Sequence, residues 1–439
     1  MAPDRRPYAA LRHPDLRRYA SGMFVSIVGS QMQNTAIDWH VWVLTGSPLA
    51  LGAVGLARFV PVVAVSLAGG VAADRYDRRR ILLATQSVML ASAAALAILT
   101  LTGRVSLAAI YLLTGLTAGA NAFDSPARHS FVPRLVPAAD LSGALTVLIT
   151  SFQLAAIGGP ALTGVVLARG HALAQGAIPT GALAGVYGLN ALSFLSVIGA
   201  LLRIHPGRGA PAAESRGESP VVALKEGFRF VFRTPLIVWT MLLDFVATFL
   251  SGSMSLLPIF ADRILHIGAA GYGWLRAAPA VGAALGSTAL AIRGLPRRQG
   301  TVFLAAVAAY GATTALFGVS RSAALTFAAL LFVGMSDTVS TVIRQTIRQL
   351  ATPDALRGRM TSVNMIFFLG GPQLGEMEAG VVASLFASAA LGATVAVASG
   401  GAATVLVAAV AAWCAPFLLG YDVVRAVREA EEPRLASGP

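Results

Sequence analysis

The chain has 439 residues, 56% of them hydrophobic and only 12% charged, with a mean hydropathy of +0.71. A soluble domain carries about 25% charged residues, so this composition excludes an ordinary soluble protein and points to the bilayer. The formal net charge of +13 calls for no nucleic-acid partner, because no basic patch on a soluble fold accompanies it.

Residues 1–18 carry five arginines and no apolar core. That excludes a cleavable signal peptide and makes the segment a cytoplasmic arm before the first span. Apolar runs follow at 19–45, 49–73, 81–101, 105–123, 141–168 and 177–202, and again at 235–261, 269–292, 299–320, 322–346, 360–387 and 394–420. Each is long enough to cross a ~30 Å hydrocarbon core as a helix. None alternates polar and apolar residues as a barrel strand would. The expectation is an all-α integral membrane protein of twelve transmembrane helices.

With the N-terminus inside, the outward loops hold only Arg104, Arg169, Arg263 and Arg321, while Arg58 and Arg276 lie within spans. The remaining basic residues gather on the cytoplasmic side, as the positive-inside rule requires. Both termini are therefore expected in the cytoplasm, with the chain in the cell membrane. Cys414 is the only cysteine, which excludes an intramolecular disulfide and a multi-cysteine metal cluster.

Taken in chain order, the polar residues inside the spans form stripes. Span 1 carries Gln31, Asn34 and Asp38 on one helix face, with Trp42 nearby. Arg58 follows in span 2. The loop after it, GGVAADRYDRRRILL at 69–83, packs six charges between two apolar runs. A loop needing only positive charge has no use for Asp74 and Asp77, so charged contacts with a neighbouring helix end are expected. Span 4 carries Thr117, Asn121, Asp124 and Arg128. Gly158, Gly159 and Pro160 in span 5 read as a close-packing and kink site.

Residues 204–234 form a long connection whose first part is rich in Gly, Pro and Ser and whose second, VVALKEGFRFVFR, suits an interfacial helix. Span 7 then carries Asp244, Thr248, Ser251 and Ser255 at helical spacing, span 8 has Arg276, and span 10 has Asp337, Thr341, Arg344 and Arg348. Gly371 and Pro372 sit in span 11. RLVPAADLSG at 134 returns as QLATPDALRG at 349, and GGPALTG at 158 returns as GGPQLG at 370. Such a repeat predicts two pseudo-symmetric six-helix bundles, 19–203 and 235–420, before a tail at 421–439.

The order Gly70, Asp74-Arg75, Asp77, Arg78-Arg79-Arg80 resembles the loop 2–3 signature of the major facilitator superfamily, with Asp77 where that signature has a second glycine. GGPALTG partly resembles the span 5 motif of its proton antiporters, with Thr163 in place of a glycine. Several N-terminal stretches, among them LRHPDLRRYASGMFVSIVGSQMQNTAIDWHVWVLTGSPLALG and FDSPARHSFVPRLVPAADL, look like the branch of enterobactin exporters and macrolide efflux proteins.

The resemblance implies a small-molecule exporter working by alternating access, with a proton gradient and no cofactor as its energy source. It implies a cytoplasmic latch at Gly70, Asp74, Arg75, Arg78, Arg79 and Arg80, joined by gate residues Asp124, Arg128, Arg344 and Arg348. Spans 1, 4, 7 and 10 line the central cavity in that superfamily. Gln31, Asn34, Trp42, Arg58, Thr248, Ser251, Arg276 and Thr341 are the substrate-cavity candidates. A charged group at mid-membrane costs about 2.5–3.5 kcal/mol on insertion scales, so Asp38, Asp244 and Asp337 are the proton-coupling candidates. The expected partners are the lipid bilayer, a small-molecule substrate and protons. A proton-coupled importer or an uncoupled facilitator on the same fold is the alternative. No metal-ligand, nucleophile-elbow or phosphate-loop motif is present, which argues against an enzyme and against direct ATP drive.

Overall fold

The computed structural model describes residues 9–173, 180–204, 220–353 and 356–422. Within these, the side chains of 66–75, 171–173 and 220–224 lie outside the description, and with them the latch calls on Gly70, Asp74 and Arg75. Most of the N-terminal arm, of the first part of the 204–234 connection and of the tail also lies outside it.

The described residues are helical, with no strand among them. The chain divides into two compact units, Met1–Glu218 with His266–Ala277, and Ser219–Leu265 with Ala278–Pro439. The first contains α1 (Pro14–Thr45), α2 (Pro48–Arg75), α3 (Arg78–Leu101), α4 (Leu107–Phe131), α5 (Leu141–Leu173) and α6 (Thr180–Arg203). The second contains α7 (Pro220–Arg233), α8 (Pro235–Leu250) and the short α9 (Leu257–Ile259), then α11 (Gln299–Val319), α12 (Ala323–Ala351), α13 (Arg357–Ser384), α14 (Ala389–Cys414) and α15 (Pro416–Leu419). The helix between α9 and α11, α10 (Gly268–Arg293), belongs to the first unit up to Ala277 and to the second beyond it. Residues 266–277 therefore fold with the first unit although the sequence places them in the second half.

Nine described helical segments are long and apolar enough to cross a membrane. The other three spans expected from the sequence correspond to α1, α4 and α13, which are long helices diluted by polar and charged side chains: Asp38 on α1, Asp124 and Arg128 on α4, Glu376 and Glu378 on α13.

Local signals set the helix ends. Pro14 opens α1 at a position where its missing N–H is not needed, and Gly46 closes it in the left-handed region at φ 60°. Asp77 stands at the N-cap of α3 and accepts a hydrogen bond from the Arg79 backbone N–H at 2.8 Å. The departure from the superfamily's glycine thus has a structural use, since a capping carboxylate satisfies a donor that the helix cannot.

Small residues let backbones approach, which is how helices pack when lipid supplies no hydrophobic drive between them. A Cβ on Gly159 of α5 would meet the carbonyl of Val28 at 3.1 Å and the N–H of Met32 at 3.2 Å, both on α1. In the second unit, a Cβ on Gly371 of α13 would meet the Phe245 carbonyl of α8 at 3.1 Å. The repeated glycine-proline segments make the same kind of contact in the two units. Gly158, expected to share this role, does not: nothing lies within 4 Å of the Cβ it lacks.

Candidate functional site

Three buried charge clusters are built from the polar stripes, two in the first unit and one in the second.

In the first unit, Asp38 on α1 is 1% exposed and lies between two arginines. Its Oδ1 accepts a hydrogen bond from Arg58 on α2 at 3.1 Å, and its Oδ2 lies 3.3 Å from Arg276 on α10. The surrounding wall is aromatic: Trp39 stacks on Tyr272 with ring centroids 5.4 Å apart, and the Tyr272 hydroxyl donates to the Thr35 carbonyl. Trp42 is buried one turn away. His40 points elsewhere, to the Tyr187 hydroxyl at 3.0 Å. Of the remaining span 1 candidates, Gln31 packs beside Gly159 and Asn34 is exposed.

The second cluster surrounds Asp124 of α4, which is 0% exposed. It accepts hydrogen bonds from Thr85 and Gln86 of α3, both at 2.9 Å, and pairs with Arg128 one turn along its own helix. Arg79, expected in the latch, donates to the Leu201 and Leu202 carbonyls at 2.7 and 2.9 Å and so satisfies the C-terminus of α6. Arg78 is half-buried and Arg80 exposed.

The third cluster lies within the second unit. Asp244 of α8 and Arg344 of α12, each 3% exposed, form an ion pair. Arg344 also donates to Ser340 and, at 2.8 Å, to Thr341. Asp337 and Arg348 share with Arg344 one face of α12, and α11, which carries Tyr310, packs against that helix. Arg348, 3% exposed, bonds to Asn364 of α13. Asp244, Arg344 and Arg348 are thus buried together, with Asp337 half-buried on the same helix as the two arginines. Arg344 and Arg348, read from sequence as gate residues, are both buried, at 3% exposed each.

One span 7 residue, Ser255, departs from the expected stripe. The α-helix ends at Leu250, and Ser255 lies in a 3-10 turn, Met254–Leu256, so the helical spacing does not continue past Ser251. Ser251 turns to the Thr404 hydroxyl of α14 at 2.8 Å, and Thr248 donates to the Asp244 carbonyl of its own helix. Both hydroxyls are satisfied by protein. Pro160 is buried within α5, whereas Pro372 in α13 is exposed.

Sequence reasoning missed Thr85, Gln86, Tyr310, Asn364 and the buried Gln33–Asn190 hydrogen bond at 2.8 Å. Thr85 and Gln86 carried a signal: adjacent hydrogen-bonding residues in an otherwise apolar run need a partner there. Among the described residues, no group of three or more His, Cys, Asp or Glu side chains is placed to hold a metal.

Long apolar helices that carry buried, paired charges define a polytopic membrane protein, and solved structures place its fold. The chain aligns with the nucleoside transporter NupG at a TM-score of 0.70 and 12% identity, covering 93% of this chain and 100% of that one. It aligns equally, at 0.70 and 16% identity, with a bacterial homologue of the human lysosomal transporter Spinster, covering 93% and 97%. A bacterial homologue of the iron transporter ferroportin gives 0.69 at 14% identity, covering 90% and 98%. These are major facilitator folds.

The chain belongs to the transmembrane secretion effector family of that superfamily, whose model matches residues 5–427. It is 29% identical over 356 residues to the enterobactin exporter EntS of Escherichia coli O139:H28, covering 80% of this chain and 81% of that one. To the enterobactin exporter EntS of Shigella boydii serotype 18 it is 30% identical over 358 residues, with the same coverage. The family is one of transporters, not enzymes.

Proposed function

We propose that this protein exports a small molecule across the bacterial inner membrane by alternating access, in exchange for protons. The substrate falls in the range of catecholate siderophores and amphipathic drugs, as the similarity to enterobactin exporters suggests. α1, α4 and α13 span the membrane together with the nine more apolar segments, giving twelve spans with both termini in the cytoplasm.

The observation that carries the coupling is the cluster of Asp244, Asp337, Arg344 and Arg348. An isolated ion pair needs one carboxylate for one guanidinium. Here Asp244 is paired with Arg344, while Asp337, two turns before Arg344 on α12, is the carboxylate without its own direct arginine bond among the described contacts. Protonation of a carboxylate so placed breaks no direct bond to an arginine. Uptake and release of that proton rebalance the cluster's charge, and coupling follows when substrate and proton bind the two states of the transporter with different affinities. Asp38, held by two arginines, is the structural member of the three aspartates.

Accumulation of an iron-free catecholate siderophore and of a macrolide in inverted vesicles energised to an acid interior tests the direction. The reading predicts uptake that a protonophore collapses. Uptake by right-side-out vesicles alone, with an acid exterior, would make the protein an importer.

A further inference from the structure

Helix α7 presents two faces with different chemistry. One is occupied. Gly227 lies so close to α13 that a Cβ there would stand 2.8 Å from the Arg359 carbonyl. Glu226 pairs with the Arg359 side chain, and Val231, 1% exposed, packs among Ile237, Met241, Met360 and Val363. The helix is therefore docked on α8 and α13 by its own apolar residues, with the exposed Glu226 at the edge of that contact paired to Arg359.

The other face is open. At about 100° per residue, Lys225, Arg229 and Arg233 fall within one arc of about 80°. All three are exposed, and none makes a hydrogen bond or ion pair with a described residue. Phe228 and Phe232 border this arc, stacked with centroids 6.1 Å apart, and Phe232 is 60% exposed. Only Thr234 separates the helix from Pro235, where an apolar span begins. Three exposed positive charges next to the exposed Phe232 thus stand where the chain enters the bilayer.

We propose that this face binds the headgroups of anionic phospholipids, with Lys225, Arg229 and Arg233 on the phosphates and Phe232 in the acyl boundary. Charge complementarity selects the occupant. A zwitterionic headgroup offers no net charge to three cations, whereas an anionic surface attracts each of them, and Phe232 gains by leaving water only if the same surface has an apolar side. Glu226, which borders the same arc, is neutralised by its ion pair with Arg359.

The test is native mass spectrometry of the purified full-length protein, delipidated and titrated with phosphatidylglycerol or phosphatidylcholine. Wild type should bind phosphatidylglycerol more tightly, and K225Q/R229Q/R233Q should lose about fivefold in affinity per charge removed, bringing the two lipids level. A control with the same charge loss in other loops, R104Q/R263Q/R321Q, should keep the preference. Equal loss in both triple variants, or loss in neither, overturns the proposal. If the triple variant does not fold, R229Q alone is expected to show about a fivefold drop; an unchanged affinity there overturns it equally.

Discussion

Arg344 of α12 and Asp244 of α8 form an ion pair that is 97% removed from solvent on both sides, being 3% exposed each. Desolvating two charges costs several kcal/mol per ion, and only a close partner offsets it. Removing either partner alone strands the other. Asp244→Asn is therefore expected to lower stability by about 3–5 kcal/mol and Arg344→Gln by a similar amount. The double change to Asn and Gln should recover most of that loss. Thermal unfolding in detergent, run as a double-mutant cycle, measures the recovery directly.

The Asp124–Arg128 pair predicts an asymmetry instead. Asp124 is fully buried, whereas the Arg128 side chain is 27% exposed. A stranded arginine of that length can reach water by extending, but a stranded Asp124 carboxylate keeps only the donors Thr85 and Gln86. Arg128→Gln should thus destabilise more than Asp124→Asn, by roughly 1–2 kcal/mol. The same thermal assay ranks the two variants.

Adjacent glycines in α5 should respond differently. Gly158→Ala meets nothing within 4 Å and gains helix propensity, so stability should be unchanged or higher by up to about 1 kcal/mol. Gly159→Leu must push α1 away at Val28 and Met32, and is expected to cost about 1–3 kcal/mol and to impair transport. Expression level and transport rate for the two variants provide the comparison.

Asp38 is shared by two arginines, which makes loss of the carboxylate worse than loss of either cation. Asp38→Asn leaves both Arg58 and Arg276 without their common counter-charge, while Arg58→Gln or Arg276→Gln leaves Asp38 one partner. The expected order of transport activity is wild type, then either arginine variant, then Asp38→Asn, with the last reduced roughly tenfold or more. Initial rates in proteoliposomes give that order.

Much of this was legible in the sequence because each signal is local. Hydropathy located the helices, and the repeated glycine-proline segments marked contacts that recur in both units at Gly159 and Gly371. The pairing of charges was not legible. Helical periodicity says that Asp38 shares a face with Asn34, but not that the facing arginines are 20 and 238 residues further along the chain, at Arg58 and Arg276. The span 7 stripe failed for a related reason: spacing presumes an unbroken helix, and α8 stops at Leu250. The assignment of residues 266–277 to the first unit depends on tertiary packing, for which a single sequence carries no periodic signal.

The central claim is proton exchange through the second-unit cluster. Inverted vesicles containing the protein, energised to an acid interior and loaded with a pH-sensitive dye, should dequench when a transported siderophore or drug is added. Asp337→Asn should abolish that dequenching while leaving the protein folded and able to bind the compound, and Asp38→Asn should slow it without uncoupling it. Transport in the same vesicles that ignores both the pH gradient and Asp337→Asn would contradict the account and make the protein an uncoupled or differently coupled carrier.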